Sequence, residues 1–176
     1  MKALNPEQFG AVRPLFTNLQ QNLVVESVLS NMTRGRVYVD DPENPQLGLL
    51  WTEMDAVLLA GEPNEQLFPA LRHLILDEMM PDARSRYIPH FTITVDRLAW
   101  VEKLPVLLPE QSLVALPRLA FHLVQPPPDW RALLPAPMTL QSMDAAFFAR
   151  QALENLPSAA GWVRSFWPDI AAFEAR

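Results

Sequence analysis

Residues 35–61, with the sequence GRVYVDDPENPQLGLLWTEMDAVLLAG, constrain the fold more than any other part of the chain. Their β-branched and large apolar side chains fall into three short runs separated by turn residues, a pattern that predicts strands. The predicted strands cover residues 37–40, 47–52 and 56–60. A parallel crossover needs about a dozen residues, so connections this short predict antiparallel neighbours. We therefore expect an antiparallel meander at the centre of the fold.

The Gly61 turn, defined as residues 61–65 with the sequence GEPNE, follows the third predicted strand. Apolar residues at helical spacing follow it, and free amides at the start of a helix can bind phosphate. In this turn, however, two glutamates would repel a phosphate and Pro63 has no amide to donate. We therefore predict a helix cap with Asn64 as the N-cap. Because Pro69 is unfavourable inside a helix, regular helix should begin around Leu67 or Phe68.

The composition excludes several classes of function. The 176 residues contain no cysteine, which rules out disulfides, thiolate metal sites and a cysteine nucleophile. A net charge of −6 without a basic run argues against nucleic-acid binding. No apolar run reaches the roughly 18–20 residues of a membrane span, and the N-terminus does not resemble a signal peptide. We expect a soluble, cytoplasmic protein without a membrane partner. Its five glycines are too far apart to form a phosphate loop.

Further helices and strands are predicted on both sides of the meander. Residues 6–19 and 22–30 carry apolar side chains at helical spacing, and Pro14 suggests a break in the first of these helices. The helix after the meander should end near Met80. A polar loop should follow it at residues 81–89. The remaining predictions are strands at 90–96, 118–124 and 138–143, and helices at 98–108, 144–155, 158–167 and 169–176, with Asp144 and Ser158 as caps.

Three consecutive prolines at residues 126–128 predict a stiff linker between two parts of the chain. The fold class that we predict is α+β, with a mainly antiparallel sheet flanked by helices in residues 1–124. The linker covers residues 125–128, and a partial second α/β unit covers residues 129–176. This second unit has too little sheet to cover its apolar helices. Either it packs on the first domain, or the native protein continues beyond it.

The predicted order of helix, helix, three antiparallel strands, helix and strand resembles the fold of the GNAT acetyltransferases. The sequences GRVYVDDPENPQLGLLW and VLLAGEPNEQLFPAL are similar to the N-terminal half of the zwittermicin-A-resistance-like subgroup. The similarity continues more weakly to Arg176. It implies an N-terminal domain that has lost its cofactor site, followed by the beginning of a domain that binds acetyl-CoA.

The chain departs from this family at the cofactor motif. The motif is Arg/Gln-x-x-Gly-x-Gly/Ala between the fourth strand and the next helix, and the matching sequence here is GEPNE. We therefore assign no catalytic and no cofactor-binding residue, and expect acetyl-CoA to bind outside this chain. The resemblance implies the N-terminal portion of an N-acetyltransferase that acts on an amine of a small molecule or peptide, with a homodimer as one expected assembly. The alternative is a GNAT-like domain for binding or dimerisation without catalysis.

The three histidines are the groups that most readily exchange protons near neutral pH. His90 and Asp96 are six positions apart in one predicted strand, so they should lie about 20 Å apart and cannot form a base with its orienting acid. His122 alternates onto the polar side of its predicted strand, where an exposed or hydrogen-bonded role is expected. His73 lies beside an apolar stripe and should be solvated. None of the three is predicted to be catalytic.

No metal ligand is assigned either. Asp40, Asp41 and Glu43 lack the alternating ligands and central glycine of a calcium loop, so they predict turn hydrogen bonds. No serine lies in a G-x-S-x-G sequence, which leaves nucleophilic catalysis without support. Several aromatic residues in the C-terminal part form either a partner surface or part of a core, and the sequence leaves both open: Phe147, Phe148, Trp162, Phe166 and Trp167.

Overall fold

The computed structural model describes residues 1–119, 124–125, 129, 131–149, 161–164, 167 and 169–175. The chain divides into two compact units, Met1–Val114 and Ala115–Arg176. In the described part of the chain, no helix combines the length and the apolar character needed to cross a membrane. The predictions for His122, the prolines at 126–128, the Ser158 cap and Phe166 lie outside the described residues.

The first unit contains a five-stranded sheet in the order β1-β2-β3-β4-β5. Neighbouring strands are antiparallel except β4 and β5, which are parallel. The fold class is therefore α+β with a mostly antiparallel sheet, as predicted, and the three strands of the predicted meander are confirmed. The strands are β1 Lys2–Ala3, β2 Arg36–Val39, β3 Leu47–Trp51, β4 Ala56–Gly61 and β5 Thr92–Val95.

Helices precede the meander, connect β4 to β5 and follow β5. A 3₁₀ helix, Pro6–Leu19, and α1, Leu23–Leu29, come first. The connection from β4 to β5 consists of a 3₁₀ turn Glu65–Leu67, α2 Phe68–His73, a π-helical segment Leu74–Met79 and α3 Met80–Ser85. Further helices among the described residues are α4 Ala99–Leu107, α5 Ala145–Ala149 and α6 Ile170–Glu174, and residues 161–164 are also helical.

Both faces of the central strands are buried. Side chains alternate between the two faces of a strand, and accordingly Val37 and Val39 of β2 face one apolar cluster while Tyr38 faces the other. The first cluster lies under the 3₁₀ helix Pro6–Leu19 and α1. The second contains residues of α2, α3 and α4 together with the π-helical segment. The central strands are nearly continuous in apolar residues because helices cover them on both sides.

Two helix boundaries differ from the predictions. The helix after the meander was expected to end near Met80, but helical structure continues to Ser85. Pro81 lies in the first turn of α3, directly after the π-helical segment, and has no amide to donate. The amide of Met80 instead donates to the carbonyl of Ile75, the spacing of the π-helical segment. The expected break at Pro14 is also absent, because the 3₁₀ helix runs through it.

The second unit differs from the prediction in its strands. Residues 138–143 have no regular secondary structure, and no strand is present in the described part of this unit. A strand needs a neighbour to satisfy its backbone groups, and the described residues of this unit provide none. Of the strand predicted at 118–124, residues 120–123 are outside the described part, and its described residues are not in a strand. Asp144 and Asp169 do cap α5 and α6, respectively, through side-chain hydrogen bonds.

Candidate functional site

The carboxyl ends of the parallel strands β4 and β5 meet at the Gly61 turn. In open sheets, ligands bind in the crevice outside the carboxyl ends of parallel strands, so this corner is the place to look for a site. Gly61 has a φ of +100°, and a Cβ atom there would collide with the backbone carbonyl of Gln46. Only glycine fits this position without strain.

Both backbone polar groups of Gly61 bond to the segment that follows β5. Its amide donates to Oδ2 of Asp96 at 3.2 Å. Its carbonyl accepts a hydrogen bond from Nε1 of Trp100 at 2.8 Å, and the Trp100 side chain is fully buried. Hydrogen bonds thus hold the turn through both the amide and the carbonyl of Gly61. The amide already has an anionic partner, the carboxylate of Asp96.

Asp96 is itself paired with a cation. Its side chain has no exposed surface, and its carboxylate accepts hydrogen bonds from Nε of Arg97 at 3.1 Å and from Nη2 at 2.8 Å. Arg97 also contacts Glu62 through Nη1. The hydrogen bond with Asp96 is the main cause that raises the pKa of Arg97 above its usual value, while desolvation opposes it. Arg97 therefore stays charged and compensates two carboxylates.

Two further residues of the turn, Asn64 and Glu65, also bond within the chain. Asn64 caps the helix as predicted, because its Oδ1 accepts from the amide of Gln66 at 3.0 Å. Its carbonyl accepts from the amide of Leu67 at 2.9 Å. Glu65 pairs with Nζ of Lys103 at 2.5 Å, and this hydrogen bond raises the pKa of Lys103 above its usual value.

These contacts engage several groups that a pyrophosphate would need. A phosphate-binding turn needs amides that are free to donate, and cations that are not already paired. Here the amides of Gly61, Gln66 and Leu67 have partners within the chain, while Pro63 has no amide. Both nearby cations that we describe, Arg97 and Lys103, pair with acids of the turn. The structure thus supports a closed corner at this end of the sheet.

The structure describes two of the three histidines, and His90 lies before β5 and not within it as predicted. Asp96 pairs with Arg97 and the amide of Gly61, while His90 is exposed at the start of the segment that leads into β5. His73 is 65% exposed, and its Nδ1 lies 2.8 Å from Oδ2 of Asp77. This contact joins α2 to the π-helical segment at an exposed surface.

The acidic turn between β2 and β3 uses its carboxylates for backbone hydrogen bonds. Oδ1 of Asp40 accepts from the amides of Gln46 and Leu47, at 3.0 and 3.1 Å. Oδ1 of Asp41 accepts from the amide of Glu43 at 3.2 Å. The predicted turn chemistry is confirmed. Among the residues that the structure describes, no group of three or more histidine or acidic side chains could hold a metal ion.

A second polar cluster surrounds Trp51 at the end of β3. The guanidinium groups of Arg36 and Arg86 lie over its ring, with Cζ at 5.2 and 5.3 Å from the centroid. Arg36 pairs with Glu53 at 2.7 Å, and Arg86 pairs with Asp82 at 2.8 Å. This cluster connects the β3–β4 turn to α3. Each of the two arginines has an acidic partner, so neither guanidinium is free to bind a ligand.

A shallow cleft lies between α2 and the end of α4. Its volume is about 460 Å³, and its lining includes Phe68, Arg72 and His73. The guanidinium of Arg72 donates to the carbonyls of Leu107 at 2.8 Å and Val106 at 3.0 Å. The guanidinium of Arg72 thus binds the last carbonyls of α4. The residues that line the cleft do not form a convergent set of catalytic groups.

The aromatic residues of the second unit contact one another. The rings of Phe147 and Phe148 are 5.6 Å apart, and Trp167 lies 6.1 Å from Trp162 and 5.0 Å from Phe173. Trp162 nevertheless remains 56% exposed. Both the core and the partner-surface interpretations of this group therefore stay open.

Asp96, Arg97 and Trp100 are the residues of this corner whose roles the sequence did not reveal. They lie 35 or more positions from their partners in the Gly61 turn. The one local signal is the acid-arginine pair directly after a predicted strand. This acid-arginine pair could have indicated that a charge is held at the end of β5.

Comparison with protein families gives a match over most of the chain. A family model described as GNAT acetyltransferase matches residues 13–176. A search of the curated proteins finds no match. The matched range includes residues 13–114 of the first unit, with the whole meander and the Gly61 turn, and the entire second unit.

Proposed function

Because the chain belongs to the GNAT acetyltransferase family, we propose that it is part of an N-acetyltransferase whose unit Met1–Val114 does not bind acetyl-CoA. The acetyl-CoA site of the enzyme would then lie outside this chain. Within the family, the sequences GRVYVDDPENPQLGLLW and VLLAGEPNEQLFPAL favour the zwittermicin-A-resistance-like subgroup. In this proposal the acceptor is an amine of a small molecule or a peptide.

The closed Gly61 turn is the observation that carries this proposal. The family binds the pyrophosphate of its cofactor at the turn after the fourth strand, and β4 is the fourth strand here. At that place, Gly61 donates its amide to Asp96 and Asn64 uses two oxygens to cap the helix. Glu62 and Glu65 add negative charge to the turn. An anionic cofactor would have to displace these contacts and overcome this repulsion.

A direct test is calorimetric titration of acetyl-CoA into the 176-residue chain. We expect no saturable heat up to about 1 mM ligand. A thermal-shift experiment supplies a second readout, because a ligand at 100 times its Kd would stabilise the folded chain by about 2.7 kcal/mol. ATP serves as the control for non-specific nucleotide binding. Saturable micromolar binding of acetyl-CoA, without binding of ATP, would overturn the proposal.

The same closed turn supports a second function, which is binding or dimerisation by a GNAT-like domain without catalysis. The two functions differ in what the gene encodes beyond codon 176. A downstream glycine-rich motif of the family type favours the acetyltransferase. A stop codon directly after Arg176 favours the non-catalytic domain, and sedimentation equilibrium would then measure whether the chain dimerises.

A further inference from the structure

The pair Asp96 and Arg97 occupies the crevice at the carboxyl ends of β4 and β5. β4 and β5 are in parallel register from Ala56 opposite Thr92 to Leu59 opposite Val95, and Asp96 follows directly. The amide of Asp96 continues the ladder by donating to the carbonyl of Leu59 at 3.0 Å. This backbone bond fixes the position from which the carboxylate reaches Gly61.

The surroundings of the Asp96 carboxylate have the chemistry of an anion site. One backbone amide, from Gly61, and one guanidinium, from Arg97, donate to it at 2.8–3.2 Å. Backbone amides and arginine side chains are the donors that proteins use for phosphates and carboxylates. The Asp96 side chain has no exposed surface, so its carboxylate depends on these donors and not on water, although the Arg97 side chain is itself 30% exposed.

We propose that the Asp96 carboxylate is an internal anion that takes the place of a ligand at the Gly61 turn and keeps the turn closed. The proposal rests on the proposed function, since it explains why this unit excludes anionic ligands. Trp100 supports the arrangement from the other side, because its indole holds the carbonyl of Gly61. Glu62 compensates the outer side of Arg97, so this guanidinium is not left unpaired toward an approaching anion.

Chemical rescue of the variant Asp96→Ala tests this proposal. Removing the carboxylate leaves the amide of Gly61 and the guanidinium of Arg97 without their anion, and we expect the Tm to fall by roughly 10 °C. Formate is a carboxylate small enough to enter the vacated space. Added at equal ionic strength in place of chloride, formate should raise the Tm of the variant saturably and leave that of the wild type unchanged. Inorganic phosphate provides a second probe.

Two variants serve as controls. Asp96→Asn fills the same volume and keeps an oxygen for the amide of Gly61, so its Tm should fall less and should not respond to formate. Asp82→Ala also removes an acid that pairs with an arginine at 2.8 Å, but this acid is 37% exposed and open to solvent. Formate should not rescue it, because water already replaces the lost carboxylate.

Each outcome decides the proposal. If Asp96→Ala folds and formate has no more effect than chloride, Asp96 has an ordinary structural role and the proposal is wrong. If the variant is unfolded in chloride, formate must restore cooperative unfolding, and failure to do so also contradicts the proposal. Titration of acetyl-CoA into the wild type is independent of these results. Binding of acetyl-CoA to the wild type would contradict the proposed function. If acetyl-CoA does not bind and formate does not rescue Asp96→Ala, only the proposal that Asp96 is an internal anion is contradicted.

Discussion

Gly61 has a backbone conformation that other residues rarely adopt, and its position against Gln46 leaves no space for a side chain. The substitution Gly61→Ala would combine strain at φ +100° with a steric collision. We expect it to lower the free energy of unfolding by roughly 2–4 kcal/mol. Urea denaturation followed by tryptophan fluorescence measures this loss.

Gly10→Ala is the matched control. Gly10 lies in the 3₁₀ helix Pro6–Leu19, and a Cβ atom there would have no neighbour within 4 Å. This substitution should change the free energy of unfolding by less than about 1 kcal/mol, because it changes only the backbone entropy of one helical residue. Equal losses of unfolding free energy in Gly61→Ala and Gly10→Ala would show that the positive φ and the close contact with Gln46 do not constrain Gly61.

Individual residues were predictable where their partners are close in sequence. The Asn64 cap and the Asp41 turn each depend on an amide two positions away, and both were predicted correctly. The contact between Asp96 and Gly61 spans 35 positions, and it forms only because β5 pairs beside β4. No property of the residues around Asp96 predicts this pairing, so the closure of the corner required the structure.

The elements of the meander were predictable because each strand is a short apolar run between strong turn signals. The helical connection from β4 to β5 was harder. Its apolar spacing identified a helix, but Pro81 suggested an end where the structure has the first turn of α3. A proline marks a helix end and a helix start equally well, and only the bond from Met80 to Ile75 distinguishes the two.

The 3₁₀ turn that begins the β4–β5 connection depends on the Asn64 cap. Asn64→Ala removes the oxygen that accepts the amide of Gln66, and that amide then lacks a partner in the first turn. We expect the variant to lose about 1 kcal/mol of stability, the usual cost of a lost N-cap. Urea denaturation of both proteins measures the difference.

Asn44→Ala is the control for this cap. Asn44 lies in the exposed β2–β3 turn, where its Oδ1 accepts only a side-chain donor, Nε2 of Gln46, at 3.2 Å. Its loss should change stability by less than about 0.5 kcal/mol, as for most surface substitutions. The cap assignment fails if Asn64→Ala is as stable as Asn44→Ala.

At the scale of the whole molecule, the first unit is a three-layer arrangement with one sheet between two helical layers. The sequence predicted the sheet and the helices but not the short strand β1, whose two residues pair with Val39 and Tyr38. A strand of two residues has no hydrophobic pattern of its own. Its existence depends on the edge of β2, which is a long-range property of the fold.

The first unit should fold on its own, since the residues of both described apolar clusters lie between Met1 and Leu108. A chain that ends at Val114 is therefore expected to unfold cooperatively, with a Tm within a few degrees of the full chain. Calorimetry measures both properties.

A chain that ends at Asp96 provides the contrast, because it keeps all five strands but lacks α4. Trp100 and Leu107 of α4 are fully buried in the apolar cluster that covers one face of the sheet. Without these two side chains, the apolar residues of α2 that pack against α4 become exposed. The carbonyl of Gly61 also loses its indole donor. This shorter chain should lose cooperative unfolding. If the chain that ends at Val114 also unfolds without cooperativity, the stability of the first unit requires residues 115–176, and the division of the chain into independently folding units is wrong.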